Sequence, residues 1–337
     1  MKHWWWKVLA VVLVLGASIA ALRVPLKPAL VHVSPDRIAP GQVTLEVTGY
    51  NTRFGKDEQS WLENDGQKIC PASIVVVSDH LMKLTFDVPA GLRSNMTDVC
   101  VGRSRLNGAL YTEGLGSGIA EEHECGIGGK YVDFSFTFPN RNILYETIRN
   151  LCFHVPMWFS MMVLFGISLV ASIRALGSTD LRHDMAADLS VRVGLLFCVM
   201  GLITGSLWAR ATWGAWWTND VKLNGAAVSA LIYLAYLVLR GSVPEPSKRA
   251  RLAAIYNIFA FVLLVLFIWI LPRLNAVDSL HPGNGGNPAF GSYDLDNSLR
   301  VVFYPACLGW ILIGVWMYTL RLRLTRLQTQ LDDANHA

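Results

Sequence analysis

The chain has 337 residues, of which 53% are hydrophobic and only 16% charged. That balance argues against an ordinary soluble enzyme and for a membrane protein. The formal net charge of +4 gathers in short segments between apolar runs, so it calls for no nucleic-acid partner.

Six runs meet or approach the roughly 20 apolar residues that a bilayer span needs: about 4–21, 156–173, 191–207, 224–239, 252–271 and 301–320. The first has Lys2 and Lys7 around a tryptophan run and ends in "GASIAA". It reads either as a cleaved signal peptide or as an uncleaved anchor, and the even total of six spans favours the anchor. Orientation follows from basic residues in short loops. Nine lie on one side: Arg174, Arg182, Arg240, Lys248, Arg249, Arg251, Arg321, Arg323 and Arg326. Four lie on the other: Arg210, Lys222, Arg273 and Arg300. The richer side is expected to be cytoplasmic, with both termini inside.

Residues 23–141 contain no span. They carry "VTLEVTGY", "SIVVVSD", "MKLTFDVP" and "YVDFSFTF", short β-branched and aromatic runs bounded by turn residues, as in a small all-β sandwich. "SPDRIAPGQVTLEVTGYN" with "LMKLTFDVPAGL" resembles an immunoglobulin-like TIG domain. Of the three cysteines here, Cys70 and Cys100 flank predicted strands and are the expected disulfide, leaving Cys125 over. "HECG" at 123–126 reads as a loop beside a structural cysteine rather than a metal site. Cys152, Cys198 and Cys307 fall in or near spans as packing residues, and no CxxCH heme-attachment motif is present. Residues 321–337 read as a cytoplasmic amphipathic helix for membrane-surface or partner contact.

The spans hold no chain of acids for proton pumping, and no phosphate-binding loop occurs. The chemistry-bearing residues collect in segments expected on the outer side. His154 lies in "LCFHVPMWF" before the second span, and His281 in "SLHPGNGGNP" before the last. "WGAWWTND" at 213–220 joins the third and fourth spans. Either histidine alone could be an interfacial polar residue, and interfacial tryptophans commonly serve as anchors. Three indoles in five residues exceed what an anchor needs. Gly214 lets the backbone turn, and Asp220 needs hydrogen bonds or water there. Two imidazoles with an aromatic wall suit heme, whose iron takes axial nitrogen donors and whose macrocycle stacks on indoles. Arg210 and Lys222 flank the loop as partners for the propionates.

At these residues the chain resembles the heme exporter protein C (CcmC) family of cytochrome c maturation. "WGAWWTND" matches the family pattern W-G-x-W-W-x-W-D at Trp213, Gly214, Trp216, Trp217 and Asp220, and departs from it at Asn219. His154-Val155-Pro156, His281 and "LITGSLWA" also match, so the resemblance spans about residues 142–325. It implies that His154 and His281 are axial ligands of a transient, non-covalent heme b, with Trp213, Trp216 and Trp217 as the platform. Asp220 would orient the loop or meet a partner. It further implies a binding and transfer protein, not an enzyme, that presents heme to a periplasmic heme chaperone (CcmE-like). ABC-type membrane and ATPase subunits (CcmB-like, CcmA-like) would work beside it in the bacterial inner membrane. The alternatives are a bis-histidine cytochrome b-like electron carrier, a small-solute permease and a cytochrome c synthase. The expected fold class is an all-α polytopic membrane protein, with six transmembrane helices and an inserted periplasmic all-β (immunoglobulin/TIG-like) domain. The expected division is an anchor at 1–22, the β-rich domain at 23–141, a five-helix heme-handling core at 142–320 and a terminal helix at 321–337.

Overall fold

Alternating apolar residues between positions 29 and 112 produce strands, and uninterrupted apolar runs elsewhere produce long helices. The computed structural model describes residues 4–55, 59–92, 94–102, 104–112, 125, 136–141, 144–274, 281 and 295–336. The chain divides into two compact units, one of residues 25–140 and one of residues 1–24 with 141–337.

The first unit contains β1 (Ala29–Ser34), β2 (Arg37–Ile38), β3 (Gly41–Tyr50), β4 (Ser60–Asn64) and β5 (Gln67–Ile69). It continues with β6 (Pro71–Ser78), β7 (Leu81–Val88), β8 (Met96–Val101) and β9 (Ser104–Thr112). One sheet has the order β1-β3-β7-β6, the other β2-β9-β8-β4-β5. In β7 the burial alternates strictly, so Met82, Leu84 and Phe86 face inward. They join Leu62, Val99 and Val101 from the other sheet in one apolar core. These strands correct the all-α class expected for the chain. That label took its class from the apolar spans and treated the β domain as an insert, whereas residues 29–111 form nine strands among the described residues, so the chain is not all-α. Within "YVDFSFTF", residues 131–135 lie outside the described residues, and Phe138 makes a parallel bridge to Leu26.

The expected Cys70–Cys100 disulfide is also corrected: Cys70 pairs with Cys125 at a Cα–Cα separation of 5.2 Å. Strand adjacency does not determine which face of a sheet a cysteine occupies. Val99 and Val101 fill the core, so Cys100 between them belongs to the opposite face of β8. It is a buried free thiol, and burial pushes it up to about 11. The "HECG" motif lies outside the described residues except for Cys125.

The second unit holds α1 (Trp5–Arg23), α2 (Leu151–Leu176), α3 (Leu181–Trp213), α4 (Val221–Ser242), α5 (Pro246–Val265) and α6 (Asn297–His336). A 3-10 turn at Tyr145–Asn150 leads into α2, and α5 runs on through a π turn, Leu266–Ile270. Among the described residues, six helical segments are long and apolar enough to cross a membrane. Three of them start at side-chain caps: Asp180 for α3, Asp220 for α4, and Glu245 followed by Pro246 for α5. Two helices exceed the expected spans. Helix α3 begins at Leu181 because its first turns are stabilised by Asp180 and by the Asp188–Arg192 pair. Helix α6 continues to His336, since no glycine or proline interrupts residues 315–336.

Glycines let the helices approach closely, as expected where apolar packing must proceed without a hydrophobic driving force. A Cβ at Gly194 would lie 2.5 Å from Phe165, and one at Gly309 would lie 3.0 Å from Leu13. Polar contacts supplement this packing. Asn257 of α5 donates to Ser168 and Ser172 of α2, all three buried. Arg240 near the end of α4 is bidentate on Asp184 at the start of α3, and its Nε lies 3.1 Å from Asp188.

Candidate functional site

Helix α2 supplies the first imidazole. His154 lies in the first turn of α2, inside the helix rather than before it, because the 3-10 turn at Tyr145–Asn150 already starts helical backbone. Pro156 therefore sits within α2, where it lacks the N–H that would reach Cys152. His154 is 8% exposed. Its ring fits against α3 because residue 205 is glycine: a Cβ there would come within 2.7 Å of His154 Cε1. Gly201, one turn earlier, makes the same room for the Trp158 indole. His154 Nδ1 is 3.1 Å from Thr204 Oγ1, and Trp158 Nε1 donates to Nε2 at 3.3 Å. Trp208 packs edge-on against the imidazole, with ring centroids 5.8 Å apart.

The tryptophan loop begins where α3 ends. Gly214 adopts φ +77° and its N–H bonds back to the Arg210 carbonyl, a left-handed cap that a side chain would strain. Ser206 Oγ then donates to the Trp216 carbonyl at 3.1 Å. Asp220 closes the loop by accepting from the N–H groups of Lys222 and Leu223 at 2.9 and 3.2 Å. The same carboxylate lies 3.6 Å from His281 Nδ1, and its side chain is 1% exposed. His281 meets the Trp213 ring edge to face at 5.4 Å. Trp217 is oriented by a polar relay: its Nε1 donates to Asn224 Oδ1, and Asn224 Nδ2 donates to Asn219 Oδ1 at 2.7 Å. Asn219, the departure from the tryptophan pattern, thus fixes the amide that holds Trp217.

A cavity of about 420 Å³ brings His154, His281, Trp213 and Trp217 together with Lys222. Trp216 does not line it and is 57% exposed. Gly214 and Asp220 act through the loop backbone and through His281 rather than as walls. Arg210 does not line it either; its guanidinium donates to the Gly214 carbonyl. Arg273 takes a place on the cavity wall instead, 4.7 Å over the Trp269 ring. Gly225 makes this possible, because a Cβ there would strike the Phe267 carbonyl of the π turn at 2.6 Å. The lining suits heme by its donor set. It offers two imidazoles, several indoles, the cations of Lys222 and Arg273, and a buried Trp269 Nε1 that has no hydrogen-bond partner among the described residues.

The family model for heme exporter protein C matches residues 125–336, more than half of the chain. The chain belongs to the heme exporter protein C family. With six span-length helices, this family member is a multi-pass membrane protein. It is 30% identical over 185 residues to heme exporter protein C of Bradyrhizobium diazoefficiens, covering 52% of this chain and 66% of that relative. The Paracoccus denitrificans protein of the same name is 27% identical over 185 residues, 55% of this chain and 73% of that relative. A shorter match, 40% identical over 87 residues, links the chain to cytochrome c biogenesis protein CcsA of Prochlorococcus marinus, covering 26% and 27% of the two. The chain thus spans about two thirds of the length of the heme exporter protein C from Bradyrhizobium. Several site residues of this family member carried no separate signal in the sequence. Trp158 lies in "LCFHVPMWF" and Thr204 and Gly205 in "LITGSLWA", stretches that matched without giving these residues a role; Gly201 carried no signal, and Arg273 read only as a loop charge.

Proposed function

We propose that this protein binds heme non-covalently at the outer face of a bacterial inner membrane and hands it to a periplasmic heme chaperone during c-type cytochrome assembly. His154 and His281 are the axial ligands in this reading, and Trp213 and Trp217 flank the macrocycle. Lys222 and Arg273 meet the propionates, and Asp220 holds the loop end and His281 in register. Heme is cargo here, and the chain's own residues bind it, orient it and shield it from water. The observation that supports the reading is the convergence of two imidazoles from distant segments, α2 and residue 281, on one tryptophan-lined cavity. The names of the relatives support it further, since they denote heme export and cytochrome c biogenesis. An ATP-binding cassette pair would drive release of the loaded chaperone. Trp216, exposed beside the cavity, is free to contact that chaperone.

The test mixes the purified, hemin-loaded protein with an apo periplasmic heme chaperone. Heme should leave this chain and appear on the chaperone. Heme that stays bound and cycles with a quinol would favour the electron carrier instead.

A further inference from the structure

The proton inventory around His154 is determined by its neighbours. Thr204 Oγ1 donates to the Met200 carbonyl at 2.8 Å, with the Gly201 carbonyl at 3.2 Å as a second acceptor for the same proton. A hydroxyl has one hydrogen, so while it serves those carbonyls it accepts from His154 Nδ1. Nδ1 therefore carries the imidazole proton, and Nε2 keeps its lone pair. An indole N–H is a donor only, and Trp158 Nε1 donates into that lone pair. The two contacts agree on one tautomer. They also place a protein donor on the nitrogen that iron would need.

We propose that Trp158 is a latch on the iron-ligating nitrogen of His154, and that Thr204 is the positioning residue that sets its tautomer. This rests on the reading of His154 as an axial ligand. When heme enters, an iron–Nε2 bond forms and the Trp158 N–H···Nε2 hydrogen bond breaks, while Nδ1–H stays on Thr204. No proton changes hands. Trp158 borders the same cavity as His154, so its ring has space to turn off the nitrogen. Its packing against Gly201 and its place one turn from His154 on α2 return it to Nε2 once heme departs. A latch of this kind weakens binding, which suits a carrier that must give its cargo up. Thr204 does the opposite, because a second partner on the distal nitrogen orients a ligating imidazole and raises its basicity.

Hemin titration of the full chain in detergent, followed by the Soret band, tests both roles. Trp158→Phe keeps an aromatic ring but removes the N–H, and is expected to lower the hemin Kd roughly threefold to tenfold. Thr204→Val is expected to raise the Kd by a similar factor and shift the Soret band, and Thr204→Ser to restore both. An unchanged or higher Kd in Trp158→Phe overturns the latch. Should that variant fail to fold, equal Kd values for Thr204→Val and Thr204→Ser overturn the arrangement instead. His154→Ala runs in parallel. If it binds hemin like the parent, the ligand reading itself fails; if it loses hemin while Trp158→Phe binds no tighter, only the latch fails.

Discussion

Gly205→Ala is expected to raise the hemin Kd at least tenfold while leaving the helix content unchanged. The added Cβ would sit 2.7 Å from His154 Cε1, well inside van der Waals contact. The imidazole cannot retreat freely, because Thr204 and Trp158 hold its two nitrogens and the residue is buried. Overpacking of this size costs about 1–3 kcal/mol. A ligand displaced by an ångström also loses its coordination geometry, which tolerates roughly 0.5 Å. Gly166→Ala on α2 is the control, since nothing lies within 4 Å of its Cβ position; it should leave binding unchanged. Hemin titration and circular dichroism of both variants check the expectation, and parental affinity in Gly205→Ala would refute the packing argument.

The second large effect concerns stability, and it arises at the opposite ends of α3 and α4. Arg240→Ala should destabilise the helical unit by about 3–5 kcal/mol, because it leaves the mostly buried Asp184 carboxylate without its cation. Asp184 and Asp188 have side chains only 10% and 15% exposed, and Arg240 bridges both. Arg192 still pairs with Asp188, so Asp184 is the uncompensated charge. Asp184→Asn in the Arg240→Ala background should recover much of the loss. Denaturation in detergent measures both. Residue 184 lies 21 positions before Gly205 on one helix, roughly 30 Å along its axis, so the folded fraction should bind hemin normally. A weakened Kd in that fraction would mean that the clamp and the cavity are coupled.

How much of this was legible in the sequence depends on the range of the interaction involved. The helices announced themselves through long apolar runs, and Gly214 and Asp220 act through local rules, a left-handed cap and an N-cap. The all-α class fails because it named the chain after its spans, whereas the expected β insert supplies nine strands among the described residues. The disulfide was misassigned because a partner depends on which sheet face a side chain takes. The tryptophan motif read as a three-ring platform, but a tight loop turns Trp216 away from the cavity that Trp213 and Trp217 line. Thr204 and Gly205 lie in "LITGSLWA", which matched as a span without assigning either residue a role: in a span, a threonine or glycine reads as small-residue packing until the neighbouring helix is known. Asn219 read as a lost ring, whereas its meaning lies in the amide relay to Trp217.

The central claim is that His154 and His281 together ligate heme. Low-temperature electron paramagnetic resonance of the heme-loaded protein, with absorption spectra of the same samples, tests it most directly. The account predicts a six-coordinate, low-spin ferric signal typical of two imidazoles. Each single change, His154→Ala or His281→Ala, should abolish that signal, and the double variant should no longer retain heme. A double variant that keeps a full complement of low-spin heme would contradict it.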